Sequence, residues 1–321
     1  MHPSAAHRTL VSARCGALLC ALVAVIACRA DDREGSRDTS ASAARGAGAA
    51  AKAAALQVDD FGDTVPSRLA ARRIVSLSPT TTELLFALGV GDRLVGRTRW
   101  DSYPDSARLV PDLGDGLRPN VEAVLAARPD LVVLYASADN RAAASTLRGA
   151  GVATLSLRVD RVEEFRRAAR MLGALTGAEA RARAVVDSVD ATLARVRAAT
   201  AGRPRPTVFW HVWDAPLITI GRGSFMTELV EIAGGKNVFG DLPGPSPQVA
   251  FEELLRRDPD VVLAGPEGVM RLRADASWRR TRAVRAGRLL VVDTALVGRP
   301  GVRLGEAAVS LARLLHPGAL P

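Results

Sequence analysis

The chain has 321 residues, 48% hydrophobic, 24% charged and only 4% aromatic, with a formal net charge of +9. That length suits two domains, and the mixture excludes both a wholly disordered chain and a many-span membrane protein. Lys52 and Lys236 are the only lysines, and the arginines are scattered among Asp and Glu, so the charge is not a nucleic-acid stripe.

The N-terminus opens with Arg8 and Arg14 and an unbroken small or apolar run from Gly16 to Ala27. This is the length of a signal h-region, short of the ~20 residues a spanning helix needs. It ends Val25-Ile26-Ala27-Cys28, which resembles a bacterial lipobox with Cys28 as the lipidated residue. Residues 1–27 are therefore expected to be a signal peptide. Residues 28–55, rich in Ala, Ser, Gly and Arg without an aromatic, are expected to be a flexible tether. This places the protein in the cell envelope, periplasmic or extracytoplasmic, on a membrane anchor. The three cysteines are Cys15, Cys20 and Cys28, so the later chain offers neither a disulfide framework nor a thiolate metal site.

From Leu56 strands and helices alternate. Ile74–Leu77 reads as a buried strand, and Ser78-Pro79 starts a helix that Gly89 ends. Val121–Ala127 reads as helix, Arg128-Pro129-Asp130 as a turn and Leu131–Leu134 as another strand. Such alternation predicts a parallel sheet covered on both faces. Between Ala178 and Ala199 an apolar stripe (Ala182, Val186, Val189, Leu193, Val196) predicts a helix about 30 Å long. The fold class is then α/β, with two Rossmann-like lobes joined by one long backbone helix. The first lobe is expected over 56–160, linking helices over 161–202 and the second lobe over 203–321.

The halves echo one another. Glu122 precedes Pro129-Asp130 by seven residues, as Glu252 precedes Pro259-Asp260. Thr82-Glu83-Leu84-Leu85 likewise parallels Thr227-Glu228-Leu229-Val230. Two echoes in the same order indicate a duplicated lobe, which puts Glu122 and Glu252 at equivalent surface points. Paired acidic points suit a basic, two-fold symmetric partner, although each alone also fits an ordinary exposed glutamate near a helix start.

Those segments, with Arg73–Pro79, Trp100-Asp101-Ser102-Tyr103-Pro104, Gly234–Phe239 and Pro247-Gln248-Val249, resemble the helical-backbone periplasmic substrate-binding proteins of ABC importers over about residues 56–316. That group serves cobalamin, ferric siderophores and haem, and the likeness is greatest to its cobalamin-binding members. The resemblance implies a monomer that carries cobalamin as transported ligand, without a cofactor, to a dimeric ABC permease with its ATPase subunits. It implies docking through Glu122 and Glu252, with Glu253 as a neighbour that could share the role. The alternatives are a ferric siderophore or haem cargo, and, in another class, a lipoprotein enzyme or sensor built on the same lobes. Ser246 stands where the cobalamin-binding relatives tend to have tryptophan.

A ligand in such a fold lies between the lobes, near the carboxyl ends of the strands. Ser78 and Pro79 at a helix start, the aromatics Trp100, Tyr135 and Trp213, and Ser246 are the candidate contacts, with Trp210 and Tyr103 equally suited to core packing. Arg299, with Arg303, is a candidate for acidic groups of the ligand. No enzyme constellation is evident. Gly221-Arg222-Gly223 lacks the third glycine of a dinucleotide site, and neither a Gly-x-Ser-x-Gly elbow nor HExxH occurs. After Cys28 only His211 and His316 remain, which excludes a three-histidine zinc site and leaves His211 either structural or within reach of a haem or corrin metal.

Overall fold

The computed structural model describes residues 57–66 and 69–320. The expected signal segment, Cys28 and nearly all of the tether lie outside them. A short antiparallel hairpin, β1 (Gln57–Val58) and β2 (Thr64–Val65), precedes the first lobe.

The first lobe is a four-stranded parallel sheet made of β3 (Ile74–Leu77), β4 (Leu94–Gly96), β5 (Leu131–Tyr135) and β6 (Ala153–Leu157), in the order β4-β3-β5-β6. Helices α1 (Pro79–Ala87), α2 (Val121–Ala126) and α3 (Asn140–Gly149) form its crossovers. Then come α4 (Val162–Thr176) and the longest helix, α5 (Glu179–Thr200). The second lobe repeats the plan. It contains β7 (Thr207–Trp210), α6 (Phe225–Ile232), β8 (Lys236–Asn237), α7 (Phe251–Arg257), β9 (Val261–Ala264), α8 (Pro266–Ala274), α9 (Arg282–Arg285), β10 (Leu289–Val291), α10 (Thr294–Val297) and α11 (Leu304–Leu315). Its sheet order, β8-β7-β9-β10, is again all parallel and matches the first strand for strand.

Because side chains alternate across a strand, each apolar run feeds two cores. Leu131 and Val133 join one cluster while Val132 and Leu134 join another; in the second lobe Val208 and Trp210 divide from Phe209 in the same way. The inward faces of both sheets belong to one continuous core, which also takes in Leu172 of α4, Val189 and Leu193 of α5, and Leu311 of α11. The stripe read on the long helix is the buried one: Ala182, Val189, Leu193 and Val196 are buried and Val186 is half-buried. That helix does not work alone, however. Both α4 and α11 lie against it, and they come close because each has glycine at the contact. A Cβ on Gly173 would lie 2.7 Å from that of Ala182, and one on Gly305 would lie 2.9 Å from that of Thr192.

The Pro-Asp echo has a structural cause. Helix α2 ends before Arg128 (φ +49°) and α7 before Asp258 (φ +38°), left-handed residues that turn the chain, and the proline after each prevents the helix from continuing. Each aspartate then reaches back to the start of the neighbouring strand. Asp130 accepts the N–H groups of Arg72 (2.8 Å) and Arg73 (3.1 Å), while Asp260 accepts that of Thr207 (2.8 Å) and its hydroxyl (2.7 Å). These bonds fix strand register in both lobes. Asp130→Ala or Asp260→Ala is expected to cost about 1–3 kcal/mol in chemical denaturation, the scale of lost hydrogen bonds to a charged acceptor. A loss near zero in both would deny them that role.

Candidate functional site

The carboxyl ends of both sheets carry the candidate residues. In the first lobe, Ser78 ends β3 and caps α1 through its backbone, its carbonyl accepting from the N–H groups of Thr81 (3.1 Å) and Thr82 (3.0 Å). Pro79 occupies the first helical turn, where its missing N–H costs nothing. Trp100 follows β4 and is 55% exposed, while Tyr103, three residues on, is 39% exposed. Tyr135 closes β5, half-buried. Its hydroxyl donates to both carboxylate oxygens of Asp160 (3.0 and 2.9 Å). Burial, then that bond and the charge of Asp160, push the phenol up to about 12.

In the second lobe Trp213 is 58% exposed, its indole N–H donating to the Ala215 carbonyl (3.2 Å). Trp210, by contrast, is buried in the core. His211 is buried as well, and its Nε2 lies 2.8 Å from Asp214, which Arg271 holds from the other side at 2.8 Å. Burial lowers the histidine pKa despite that carboxylate, so the ring is neutral at pH 7. Gly268 of α8 lies beside its Nδ1 edge, where a Cβ would come within 3.3 Å.

Two cavities lie at these strand ends. One, of about 540 Å³, is lined by Trp210, His211 and Trp213 with the first turn of α8. The other, of about 440 Å³, is bounded by Tyr135, Asp160 and Arg161 of the first lobe and by Gly223 and Pro245 of the second, and so lies between the lobes. Tyr135 and Trp213 thus face separate cavities, and Ser78, Pro79, Trp100 and the exposed Ser246 are not among the residues lining either. A larger groove, about 700 Å³, runs between α5 and α11, away from the strand ends.

Arg299 and Arg303, anticipated as contacts to acidic ligand groups, meet the first lobe. Arg299 donates to the buried Glu83 carboxylate (3.2 Å) and to the Trp100 carbonyl (3.1 Å), and Arg303 stacks 4.5 Å over Tyr103. Across the cleft from them, Arg161 pairs with Glu228. The sequence reading used Glu83 and Glu228 only as evidence of duplication and gave neither a role. The signal was present, since a Thr-Glu step precedes two apolar residues at the same place in the first helix of both halves.

Glu122 and Glu252 occupy the second positions of α2 and α7, both exposed and without an ion pair among the described residues. Glu253 is committed elsewhere: hydrogen bonds from Arg256, then Arg257, hold its carboxyl down to about 2.

Comparisons with known proteins agree with this architecture. The family model described as periplasmic binding protein matches residues 74–296. A substrate-binding lipoprotein of an ABC transporter from Bacillus subtilis (strain 168) is 32% identical over 255 residues, 77% of this chain and 80% of that protein. The vitamin B12-binding protein of Salmonella typhimurium (strain LT2) is 30% identical over 210 residues, covering 65% and 78%. Among solved structures, a periplasmic haem-binding protein from Pseudomonas aeruginosa superposes with a TM-score of 0.70 at 27% identity, over 78% of this chain and 95% of that one. The chain belongs to the periplasmic binding protein family, and it is a substrate-binding protein of the ABC-importer type.

The Tyr135 phenol is testable without any ligand, because Tyr103→Phe leaves it as the only tyrosine. Its ultraviolet titration is expected to have a midpoint of about 12. The raised value means that its contribution to stability is complete below the unfolded phenol's pKa of about 10 and fades as pH rises towards 12. A midpoint near 10 would contradict the bond to Asp160.

Proposed function

We propose that this periplasmic binding protein captures a corrinoid of the cobalamin type between its lobes and delivers it to a dimeric ABC permease. In this reading Cys28 carries the lipid anchor, and Glu122 and Glu252 dock on permease arginines. The observation that carries the cargo is the charge balance at the strand ends. Arg161, Arg271 and Arg299 are each bonded to a carboxylate, those of Glu228, Asp214 and Glu83. These three are committed, whereas Arg158, which also lines the inter-lobe cavity, is more exposed and lies 4.0 Å from Asp160. Haem propionates and anionic ferric siderophores would find Arg158 there, but would have to compete with those carboxylates for the three paired arginines at a desolvation cost. A corrin edged with neutral amides would not, and it offers a broad apolar face to Trp100, Trp213 and Tyr135. In this reading Ser78, Pro79 and Ser246, which line neither cavity, would meet the periphery of the ligand, with Arg299 contributing through Trp100.

The same type of fold in the Pseudomonas haem-binding protein keeps haem or a ferric siderophore as the second reading. A transport role rather than an enzymatic one is supported by the relatives named above, which are binding proteins. For docking, the support is symmetry. The two glutamates stand at the same place in α2 and α7, and neither spends its charge on a neighbour.

Calorimetric titration of the purified chain with cyanocobalamin, haemin and a ferric siderophore separates the readings. One-to-one binding of cyanocobalamin with the other two at least a hundredfold weaker is expected. Preference for haemin or siderophore would overturn the cargo and leave the importer role. Glu122→Ala and Glu252→Ala are expected to leave cobalamin affinity unchanged. Each should weaken binding to the cognate permease about tenfold or more. Unchanged permease binding in both would reject that docking face.

A further inference from the structure

The loop from Thr98 to Tyr103 is held from both lobes. From its own lobe, Asp101 is buried and accepts the backbone N–H of Thr98 (3.2 Å), the Thr98 hydroxyl and the Thr82 hydroxyl (2.5 Å). From the other lobe comes Arg299. One arm of its guanidinium meets Glu83 Oε1 at 3.2 Å, and the other meets the carbonyl of Trp100 at 3.1 Å. Glu83 is 4% exposed, in a turn of α1 where Thr80, Thr81, Thr82, Leu84 and Leu85 are also buried. A carboxylate so placed requires a charged partner, and Arg299 is the one bonded to it. The chain after Arg299 stays close to the same carboxylate: a Cβ on Gly301 would lie 3.6 Å from Glu83 Oε2. Arg303 then covers the Tyr103 ring.

The opposite end of the cleft repeats the device. Glu228, the counterpart of Glu83, takes the Arg161 guanidinium and the Val162 N–H (3.3 Å). In each lobe the Thr-Glu step of the first helix gives its carboxylate to an arginine that follows the fourth strand of the other lobe.

We propose that Glu83 and Arg299 are positioning residues: together they fix the Trp100 indole as a ligand platform across the cleft, and Arg299 acts through the Trp100 backbone rather than by touching the ligand. An arginine that bridges a buried carboxylate and a backbone carbonyl cannot turn outward without leaving the carboxylate without its charged partner. The backbone at Trp100, a residue more than half exposed, is then held before any ligand arrives. The ligand side of this inference rests on the corrinoid reading above; the positioning of the loop does not.

The test has two arms, each on the full chain. Hydrogen–deuterium exchange without ligand is expected to show residues 98–104 exchanging at least tenfold faster in Arg299→Gln. Glu83→Gln, which retains size and a polar tip, should produce the same change, whereas Glu228→Gln should leave 98–104 as in the parent. In the second arm, cyanocobalamin affinity is measured for Arg299→Gln, Trp100→Ala and the double variant. Arg299→Gln alone is expected to weaken binding about tenfold, and to change it by less than twofold once Trp100 is already alanine. Unaltered exchange at 98–104 in both Arg299→Gln and Glu83→Gln would overturn the proposal. An undiminished tenfold loss in the Trp100→Ala background would also do so, because Arg299 would then touch the ligand itself. If the parent chain takes no cyanocobalamin, the cargo reading falls while the exchange arm still decides the positioning.

Discussion

The inward faces of both sheets close on a single apolar core, and the rest of the molecule is arranged around that constraint. Parallel strands are buried on both sides, so each lobe needs a helical layer on each face. The outer layers are private to each lobe. The inner layer is shared, because α4, α5 and α11 join residues of both sheets in one cluster. Moving one lobe against the other would shear Leu172, Val189, Leu193 and Leu311 past one another, and close-packed interiors resist such displacement. Gly173 and Gly305 let the three helices approach closely enough to act as one slab.

With the lobes fixed at the back, the front of the molecule becomes a preformed cleft. Its electrostatics follow from the duplication. Each lobe places a glutamate in its first helix, and each glutamate is answered by an arginine from the other half. The result is a rim on which these glutamates and arginines are paired across the lobes, beside the exposed Trp100 and Trp213. Burial raises the pKa of Glu83, while the Arg299 charge and hydrogen bond act against that rise.

Much of this was legible in the sequence, for definable reasons. Alternating strands and helices, the stripe on α5 and the Pro-Asp turns are local signals, and the structure contains them. The Glu122 and Glu252 positions could be paired because identical spacing to a Pro-Asp turn fixes each at the start of a short helix. What could not be read was any contact whose partners lie far apart in sequence. Arg299 looks like an open ligand contact until Glu83 is brought beside it, 216 residues away. Nothing near His211 in the sequence shows that Gly268 lies beside its ring. The role of α4 beside α5 was equally hidden, since a single amphipathic stripe does not say how many helices it will face.

The most direct test of the account is whether the cleft is preformed. Spin labels on Ala126→Cys and Arg256→Cys, exposed positions on α2 and α7, would report the distance between lobes with and without saturating cyanocobalamin. A distribution unchanged to within about 2 Å is expected, because hinge closure would require bending α5 and shearing the shared core. A shift of several ångströms on binding would contradict the account, and would mean that the inter-lobe ion pairs mark one of two states rather than the fixed frame of the site.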